Sequence, residues 1–196
     1  MLNGLSIDVE EWFQVGAFET VISRADWDSL ECRVESNTDN VLALFEEAGV
    51  KGTFFTLGWV AERYPELIRR IVDAGHEIAS HGYAHDRVFS FTPQQFAADL
   101  IKARKLIEDA AGVKVTGYRA PSFSIDQRTP WAHQILAEQG YAYSSSVAPI
   151  KAKKLRYYAD ANFKRRVLPP PALAAGRYAD APPVRPDDWS GLAIPA

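Results

Sequence analysis

Thr53-Phe54-Phe55-Thr56-Leu57, followed by Glu77-Ile78-Ala79-Ser80, is the stretch that decides the fold. The first run is rich in β-branched and aromatic residues, and both have the length of short strands. Between them, residues 59–64 and 65–74 have helical character, which ends at Gly75. A strand, a helical segment and a second strand form a βαβ unit, whose strands are parallel. The stretch therefore predicts an α/β fold with a parallel sheet.

The same alternation continues on both sides of this unit. Thr92-Pro93-Gln94-Gln95 has the pattern of a capping box with proline in the first helical position, so a helix is expected from there to about Ala111. Thr38 is the expected cap of a helix over 39–48. The remaining predicted elements are strands over 4–8, 113–118 and 141–144, and a helix that starts at Thr129-Pro130 and ends at Gly140. Five strands alternating with helices favour parallel βα units.

Charge and proline content divide the chain into two parts. From Lys151 onward, nine Lys and Arg residues stand against four Asp residues, and seven of the 12 prolines lie in the same segment. Helices and central strands do not tolerate so many prolines. We therefore predict one domain over 1–150 and a basic, proline-rich C-terminal segment over 151–196.

Composition excludes several classes of protein. A net charge of −3 gives no general attraction for nucleic acid. No apolar run approaches the roughly 20 residues of a transmembrane helix, and the first residues lack the pattern of a secretory signal. Cys32 is the single cysteine, so the chain cannot form an internal disulfide. Proteins without disulfides are usual in reducing compartments. A cytoplasmic location is expected, and the oligomeric state is left open.

Polar residues stand where four of the predicted strands end. Asp8 ends the first strand, His81 follows the third, Arg119 follows the fourth, and residues 144–146 end the fifth. The carboxyl ends of parallel strands meet at one edge of a sheet, which is where α/β proteins gather their catalytic side chains. The sequence therefore predicts a functional site at this edge.

Two segments contain side chains suited to a metal. Ser80-His81-Gly82-Tyr83-Ala84-His85 places two imidazoles four residues apart, and Ile7-Asp8-Val9-Glu10-Glu11-Trp12 offers three carboxylates. Two histidines and one carboxylate with an open position form a catalytic metal site, and a further carboxylate can act as general base. The alternatives are surface or capping histidines and carboxylates that are solvated or cap a helix. Arg119 could keep one of the carboxylates ionised.

The chain resembles the NodB-like polysaccharide deacetylases, the homology domain of carbohydrate esterase family 4, and within them an exopolysaccharide-locus subgroup associated with exosortase systems. The resemblance covers residues 1 to about 150. The motifs that carry it are Ser6-Ile7-Asp8-Val9-Glu10-Glu11-Trp12-Phe13, Lys51-Gly52-Thr53-Phe54-Phe55, Gly75-His76-Glu77-Ile78-Ala79-Ser80-His81-Gly82-Tyr83-Ala84-His85 and Gly117-Tyr118-Arg119-Ala120-Pro121-Ser122-Phe123.

This resemblance implies a distorted (β/α) barrel of parallel strands, which would be incomplete in a chain shorter than the usual 250 or so residues. It also implies a divalent metal, usually zinc, and hydrolysis of N-acetyl groups from the amino-sugar units of a polysaccharide. By motif position, Asp8 is the base and Arg119 steadies it. The metal ligands are His81, His85 and an acidic residue that we take as Glu10, with Glu11 as the alternative. The residues expected to contact the sugar flank the motifs and are Trp12, Tyr83, Pro121 and Phe123. For the aromatic residues among them, core packing is the alternative.

One family feature is missing from the sequence. The family has a late histidine that protonates the leaving amine, whereas the four histidines here are His76, His81, His85 and His133. His76 and His133 are expected to be structural, and the segment over 151–196 is either divergent or truncated. Two other functions therefore stay open. One is a catalytically weak or silent sugar-binding fragment, and the other is an amidase of the same fold with a closed pocket for a small amide.

Overall fold

The computed structural model describes residues 4–147, so the predicted segment over 151–196 lies outside the described residues. Five parallel strands form one sheet in the order β1-β2-β3-β4-β5. This arrangement confirms the predicted α/β fold with parallel strands, and the described strands do not close into a complete barrel. The strands are β1 (Ser6–Val9), β2 (Thr53–Thr56), β3 (Glu77–Ser80), β4 (Gly117–Tyr118) and β5 (Tyr143–Ser144).

Helices connect consecutive strands, with α4 packed against α2, α3 and α5. No helix within residues 4–147 is long and apolar enough to cross a membrane. The α-helices are α1 (Val34–Glu47), α2 (Gly58–Arg63), α3 (Pro65–Asp73), α4 (Pro93–Ala111) and α5 (Ala132–Glu138). Short 3₁₀ helices, which the sequence analysis did not predict, occupy Trp12–Gln14, Arg24–Ser29, Val88–Ser90 and Pro121–Phe123.

The predicted capping box of α4 is confirmed. The Thr92 hydroxyl accepts a hydrogen bond from the Gln95 backbone N–H, and the Gln95 side chain accepts one from the Thr92 backbone N–H. Gly112 ends the helix at φ 68°, a left-handed conformation that glycine adopts without steric cost.

Helix α1 begins earlier than predicted. It starts at Val34, and the expected cap Thr38 lies buried inside the helix. The cap comes from a residue distant in sequence, since the Glu11 carboxylate accepts hydrogen bonds from the backbone N–H groups of Arg33, at 2.9 and 3.0 Å, and Val34, at 3.0 Å. A carboxylate at this position binds unpaired N–H groups and favours the positive end of the helix dipole. A long-range cap of this kind is invisible to local sequence patterns.

Strand β4 is shorter than predicted. Residues 113–116 were expected to extend it, but only Gly117–Tyr118 pairs as a strand. The Val115 backbone N–H instead donates to the Glu108 carboxylate at 2.9 Å, so it is not available to a sheet partner. Gly117 must lack a side chain, because a Cβ there would lie 2.3 Å from the Tyr143 ring.

The sheet register determines which side chains share a face. Asp8, Phe55 and Ala79 are aligned on neighbouring strands, and therefore point to the same side. Phe54 and Ile78 point to the opposite side, where they join the main hydrophobic core. Asp8 consequently projects from the face that the helices do not cover.

Candidate metal and catalytic centre

Backbone hydrogen bonding continues one residue beyond the strands and brings the predicted site residues to one edge. The N–H of His81 donates to the Thr56 carbonyl at 2.8 Å, and that of Arg119 donates to the Ser80 carbonyl at 2.9 Å. The N–H of Ser145 donates to the Tyr118 carbonyl at 2.8 Å. Because side chains alternate along extended chain, the first residue after each strand points to the Asp8 side.

The three predicted metal ligands lie together. One ligand atom from each of Glu10, His81 and His85 lies within 4.8 Å of the other two. Glu10 Oε2 is 3.1 Å from His85 Nε2 and 3.9 Å from His81 Nε2. The two imidazole rings have their centroids 5.4 Å apart.

The tautomer of His81 follows from its partner. His81 Nδ1 lies 2.8 Å from the backbone carbonyl oxygen of Arg119. A carbonyl oxygen can only accept a hydrogen bond, so Nδ1 carries the proton and Nε2 presents its lone pair. Burial lowers the pKa of His81, which keeps the imidazole neutral at pH 7. The ring is thus oriented and protonated as a metal-ligating imidazole requires.

Burial and the neighbouring His81 likewise lower the pKa of His85, to about 4. The His85 backbone has φ 59°, a left-handed conformation that is uncommon outside glycine and costs on the order of 1 to 3 kcal/mol. Such a conformation persists only where surrounding contacts hold it.

Glu10 provides the test of whether a metal fits this group. Its Oε2 atom is buried and accepts no well-aligned hydrogen bond from the described residues, although two imidazole nitrogens face it. Burial and the nearby Asp8 carboxylate raise the pKa of Glu10 to about 7. A cation would satisfy this oxygen and both nitrogen lone pairs at once. Two neutral imidazoles and one carboxylate are a donor set that suits zinc, so the residues fit a divalent metal.

Asp8 and Arg119 form an ion pair beside this group. Arg119 Nη1 donates to Asp8 Oδ1 at 2.6 Å, while Asp8 Oδ2 lies 3.9 Å from His81 Nε2. One carboxylate oxygen is therefore fixed by the guanidinium, and the other faces the candidate metal ligands.

The Arg119 guanidinium is held by residues on three strands or their ends. Nη2 donates to the hydroxyls of Ser6, at 2.9 Å, and Ser145, at 3.0 Å, and Nε donates to the Ser145 carbonyl at 3.3 Å. The guanidinium carbon lies 3.9 Å from the centre of the Phe55 ring. The sequence predicts Ser145 at this edge but not Ser6 or Phe55. The alternation of side chains along β1 and β2, which places Ser6 and Phe55 on the same face as Asp8, could have identified both residues.

The structure separates the two candidate acids of the first motif. Glu10 faces the imidazoles, whereas the Glu11 side chain is buried and bonded to the N-terminus of α1. Glu11 is thus already engaged, and Glu10 is the acid placed to bind a metal.

Matched substitutions of these adjacent acids should affect two different properties, zinc affinity and stability. Glu10→Gln is expected to lower zinc affinity by at least about 10-fold, because an amide is a poor replacement for a carboxylate ligand. Glu11→Gln is expected to leave zinc affinity within about twofold and to lower the free energy of unfolding by about 1 kcal/mol, since α1 keeps a weaker cap. Zinc titration and chemical denaturation measure both quantities. Loss of zinc from the Glu11 variant alone would reverse the assignment.

The expected sugar contacts do not share one environment. Trp12 is 38% exposed and its indole N–H donates to the Glu31 carbonyl at 3.0 Å, while the Phe123 ring lies beside Arg119. Both are near the edge that carries the site. Pro121, by contrast, is buried, and this differs from the prediction that it contacts a sugar.

Tyr83 has contacts within the protein, and its contact with a sugar stays a prediction. Its hydroxyl donates to Glu62 at 2.8 Å, and Lys102 Nζ lies 3.2 Å from the centre of its ring. Its side chain therefore packs against α2 and α4, because the loop that carries it turns in that direction. These contacts do not support a sugar contact.

The two other histidines occupy the positions expected of structural residues. The His76 ring is buried against Phe45 and Phe54, and its Nδ1 accepts the Gly52 backbone N–H at 3.2 Å. His133 is buried within α5.

Comparison with known proteins gives three further findings. A family profile described as polysaccharide deacetylase matches residues 26–144. A peptidoglycan deacetylase of Helicobacter pylori is 34% identical over 113 residues, which are 58% of this chain and 38% of that protein. A peptidoglycan-N-acetylglucosamine deacetylase of Bacillus cereus is 30% identical over 96 residues, which are 48% of this chain and 35% of that protein. The matches thus span little more than a third of the length of these relatives.

A solved structure from Mycobacterium smegmatis, described as a polysaccharide deacetylase, is similar in fold and sequence. The two structures superpose with a TM-score of 0.60 and 32% sequence identity, covering 74% of this chain and 50% of that one.

Proposed function

The chain belongs to the polysaccharide deacetylase family, and on that premise we propose that it is a metal-dependent hydrolase that removes N-acetyl groups from the amino-sugar units of a polysaccharide. The observation that carries this proposal is the placement of a general-base candidate, Asp8, directly beside three candidate metal ligands. The names of the Helicobacter and Bacillus relatives support an N-acetylated sugar polymer as the substrate class.

The chain's own residues can perform the base step. Asp8 Oδ1 accepts a hydrogen bond from Arg119 Nη1, which orients the carboxylate. Asp8 Oδ2 then points toward the candidate ligands, where it can accept a proton from an attacking water molecule. The C–N bond of the acetamide breaks as acetate forms, and the amine nitrogen must gain a proton.

Glu10, His81 and His85 would hold the divalent cation, for which zinc is the first expectation. When bound, such a cation lowers the pKa of water and polarises the acetamide carbonyl. His81 keeps its orientation through its bond to the Arg119 carbonyl, so one residue links the metal ligand to the base.

Finer assignments rest on the motifs alone. We propose membership of the exopolysaccharide-associated subgroup from the motifs that carry the family resemblance, and a cytoplasmic location stays a prediction from the single cysteine and the sequence pattern of the first residues. Neither a small-amide amidase nor a silent sugar-binding fragment is better supported than the deacetylase.

Acetate release from N-acetylglucosamine oligomers tests the proposal. The purified chain is incubated with the oligomers after zinc loading, and in parallel after removal of metal with a chelator. Zinc-dependent release of acetate supports the proposal. Stoichiometric zinc binding without any acetate release would favour the silent fragment, and release only from small linear or cyclic amides would favour the amidase.

The zinc-loaded chain of 196 residues is expected to release acetate slowly. No histidine follows His133 in the sequence, so the late imidazole that would protonate the amine is absent. Loss of a general acid costs about 10² to 10⁴ in rate, which sets the expected turnover far below a typical 10 s⁻¹ or so. Acetate release at pH 7 to 8 with saturating zinc measures it. Turnover near the typical value would show that another residue supplies the proton.

A further inference from the structure

The loop over 81–85, which carries both candidate histidine ligands, is held by backbone hydrogen bonds from α2. The backbone N–H of Gly58, at the start of α2, donates to the Gly82 carbonyl at 2.8 Å, and the N–H of Trp59 donates to the Tyr83 carbonyl at 2.9 Å. These bonds hold two carbonyl groups of the loop. They leave the Tyr83 N–H to be bound from another element.

Asp99, on α4, supplies that partner. Both of its carboxylate oxygens lie 3.3 Å from the Tyr83 backbone nitrogen. Gly82 adopts φ 80°, and a Cβ there would lie 3.1 Å from Asp99 Oδ2. The carboxylate therefore packs closely against the backbone in the middle of the loop. The contact therefore falls between His81 and His85, two residues from each.

We propose that Asp99 is a positioning residue of the candidate metal centre, holding the loop over 81–85 so that His81 and His85 present their Nε2 atoms to Glu10. The proposal rests on the proposed function, because it takes these three residues as metal ligands.

The local strain explains why such a contact is needed. His85 holds a left-handed backbone conformation that a non-glycine residue leaves unless its surroundings fix it. The α2 N-terminus binds the carbonyl side of the loop, and Asp99 binds its N–H side, so the two contacts together restrain the turn.

The chemistry of Asp99 agrees with a specific role. Burial raises the pKa of Asp99 to about 7, although the hydrogen bond from the Tyr83 N–H acts in the opposite direction. Burial of this carboxyl group is therefore unfavourable, and burial of an apolar residue at the same position of α4 would have a lower free-energy cost. The Tyr83 N–H is the group that such a replacement would leave unpaired.

Zinc affinity, measured by competition with a chromophoric chelator on the full chain, tests this inference. Asp99→Ala is expected to weaken zinc binding by about 10- to 100-fold, as removal of a residue that orients a ligand typically does. Asp99→Asn keeps one acceptor oxygen and is expected to bind zinc more tightly than Asp99→Ala. Ile107→Val is the control, because Ile107 is a buried core residue about two turns further along α4 and its truncation lowers stability without touching the loop.

The result expected is a weakened affinity for Asp99→Ala with that of Ile107→Val within about twofold of wild type. Equal affinity of Asp99→Ala and wild type would overturn the inference, as would an equal weakening by Ile107→Val. Should Asp99→Ala fail to fold, Asp99→Leu, which also removes both acceptor oxygens, decides, with a weakening of at least about threefold expected and unchanged affinity contradicting the inference. A wild-type chain that binds no zinc would overturn the proposed metal site as well, whereas zinc binding that ignores Asp99 would overturn the positioning role alone.

Discussion

Replacing His81 and His85 together by alanine is expected to abolish zinc binding. Each imidazole is buried and neutral, and each Nε2 atom faces Glu10, so the double substitution removes two of three candidate ligands. Loss of a residue that only orients a ligand already costs about 10- to 100-fold in metal affinity. Direct loss of two ligands should therefore cost more than about 10³-fold, and zinc should be undetectable in the purified variant by elemental analysis.

A histidine outside the centre provides the matched control. His76→Ala removes a buried imidazole that packs on Phe54 and accepts a hydrogen bond from Gly52, and it leaves the three candidate ligands in place. It is expected to lower stability and to retain one zinc per chain. Undiminished zinc in the His81, His85 double variant would contradict the site, and loss of zinc from the His76 variant would indicate that stability rather than ligation controls binding.

Much of the candidate centre follows from one property of parallel sheets. His81 and Arg119 each stand one residue beyond a predicted strand, and the structure places both at the same edge. The alternation of side chains then sends them, with Asp8, to one face. The parallel direction of the strands was sufficient for this inference, because the alternation of strands and helices along the sequence predicted it.

What the sequence could not reveal depends on contacts between distant residues. Glu11 caps α1 from 22 residues away, so the helix begins at Val34 without a local signal. The roles of Glu10 and Glu11 could not be separated for the same reason, since only the fold decides which acid turns toward the imidazoles. The packing of the Tyr83 side chain on α2 and α4 was likewise not visible in the sequence, because no local pattern encodes where those helices lie relative to the loop.

Asp8→Asn is expected to slow acetate release by about 10² to 10⁴ while zinc stays bound. The amide can keep its carbonyl oxygen on Arg119 Nη1, where Asp8 Oδ1 accepts a hydrogen bond at 2.6 Å. Its NH₂ group then occupies the position of Oδ2, which faces the candidate ligands and can no longer accept a proton. Because the wild-type rate is itself expected to be low, acetate is measured with the zinc-loaded chain in excess over the oligomer.

Asp126→Asn is the matched control for that substitution. Asp126 is also an aspartate bound by an arginine, Arg128, with contacts of 2.9 and 3.1 Å from Nε, but it lies in the turn before α5 and not among the candidate ligands. The same change of acid to amide should therefore leave the rate and the zinc content unchanged. If Asp8→Asn releases zinc instead of slowing acetate formation, Asp8 is a ligand and Glu10 becomes the candidate base. If the rate is unchanged with zinc bound, proton acceptance lies with a residue other than Asp8, because the amide cannot accept the proton.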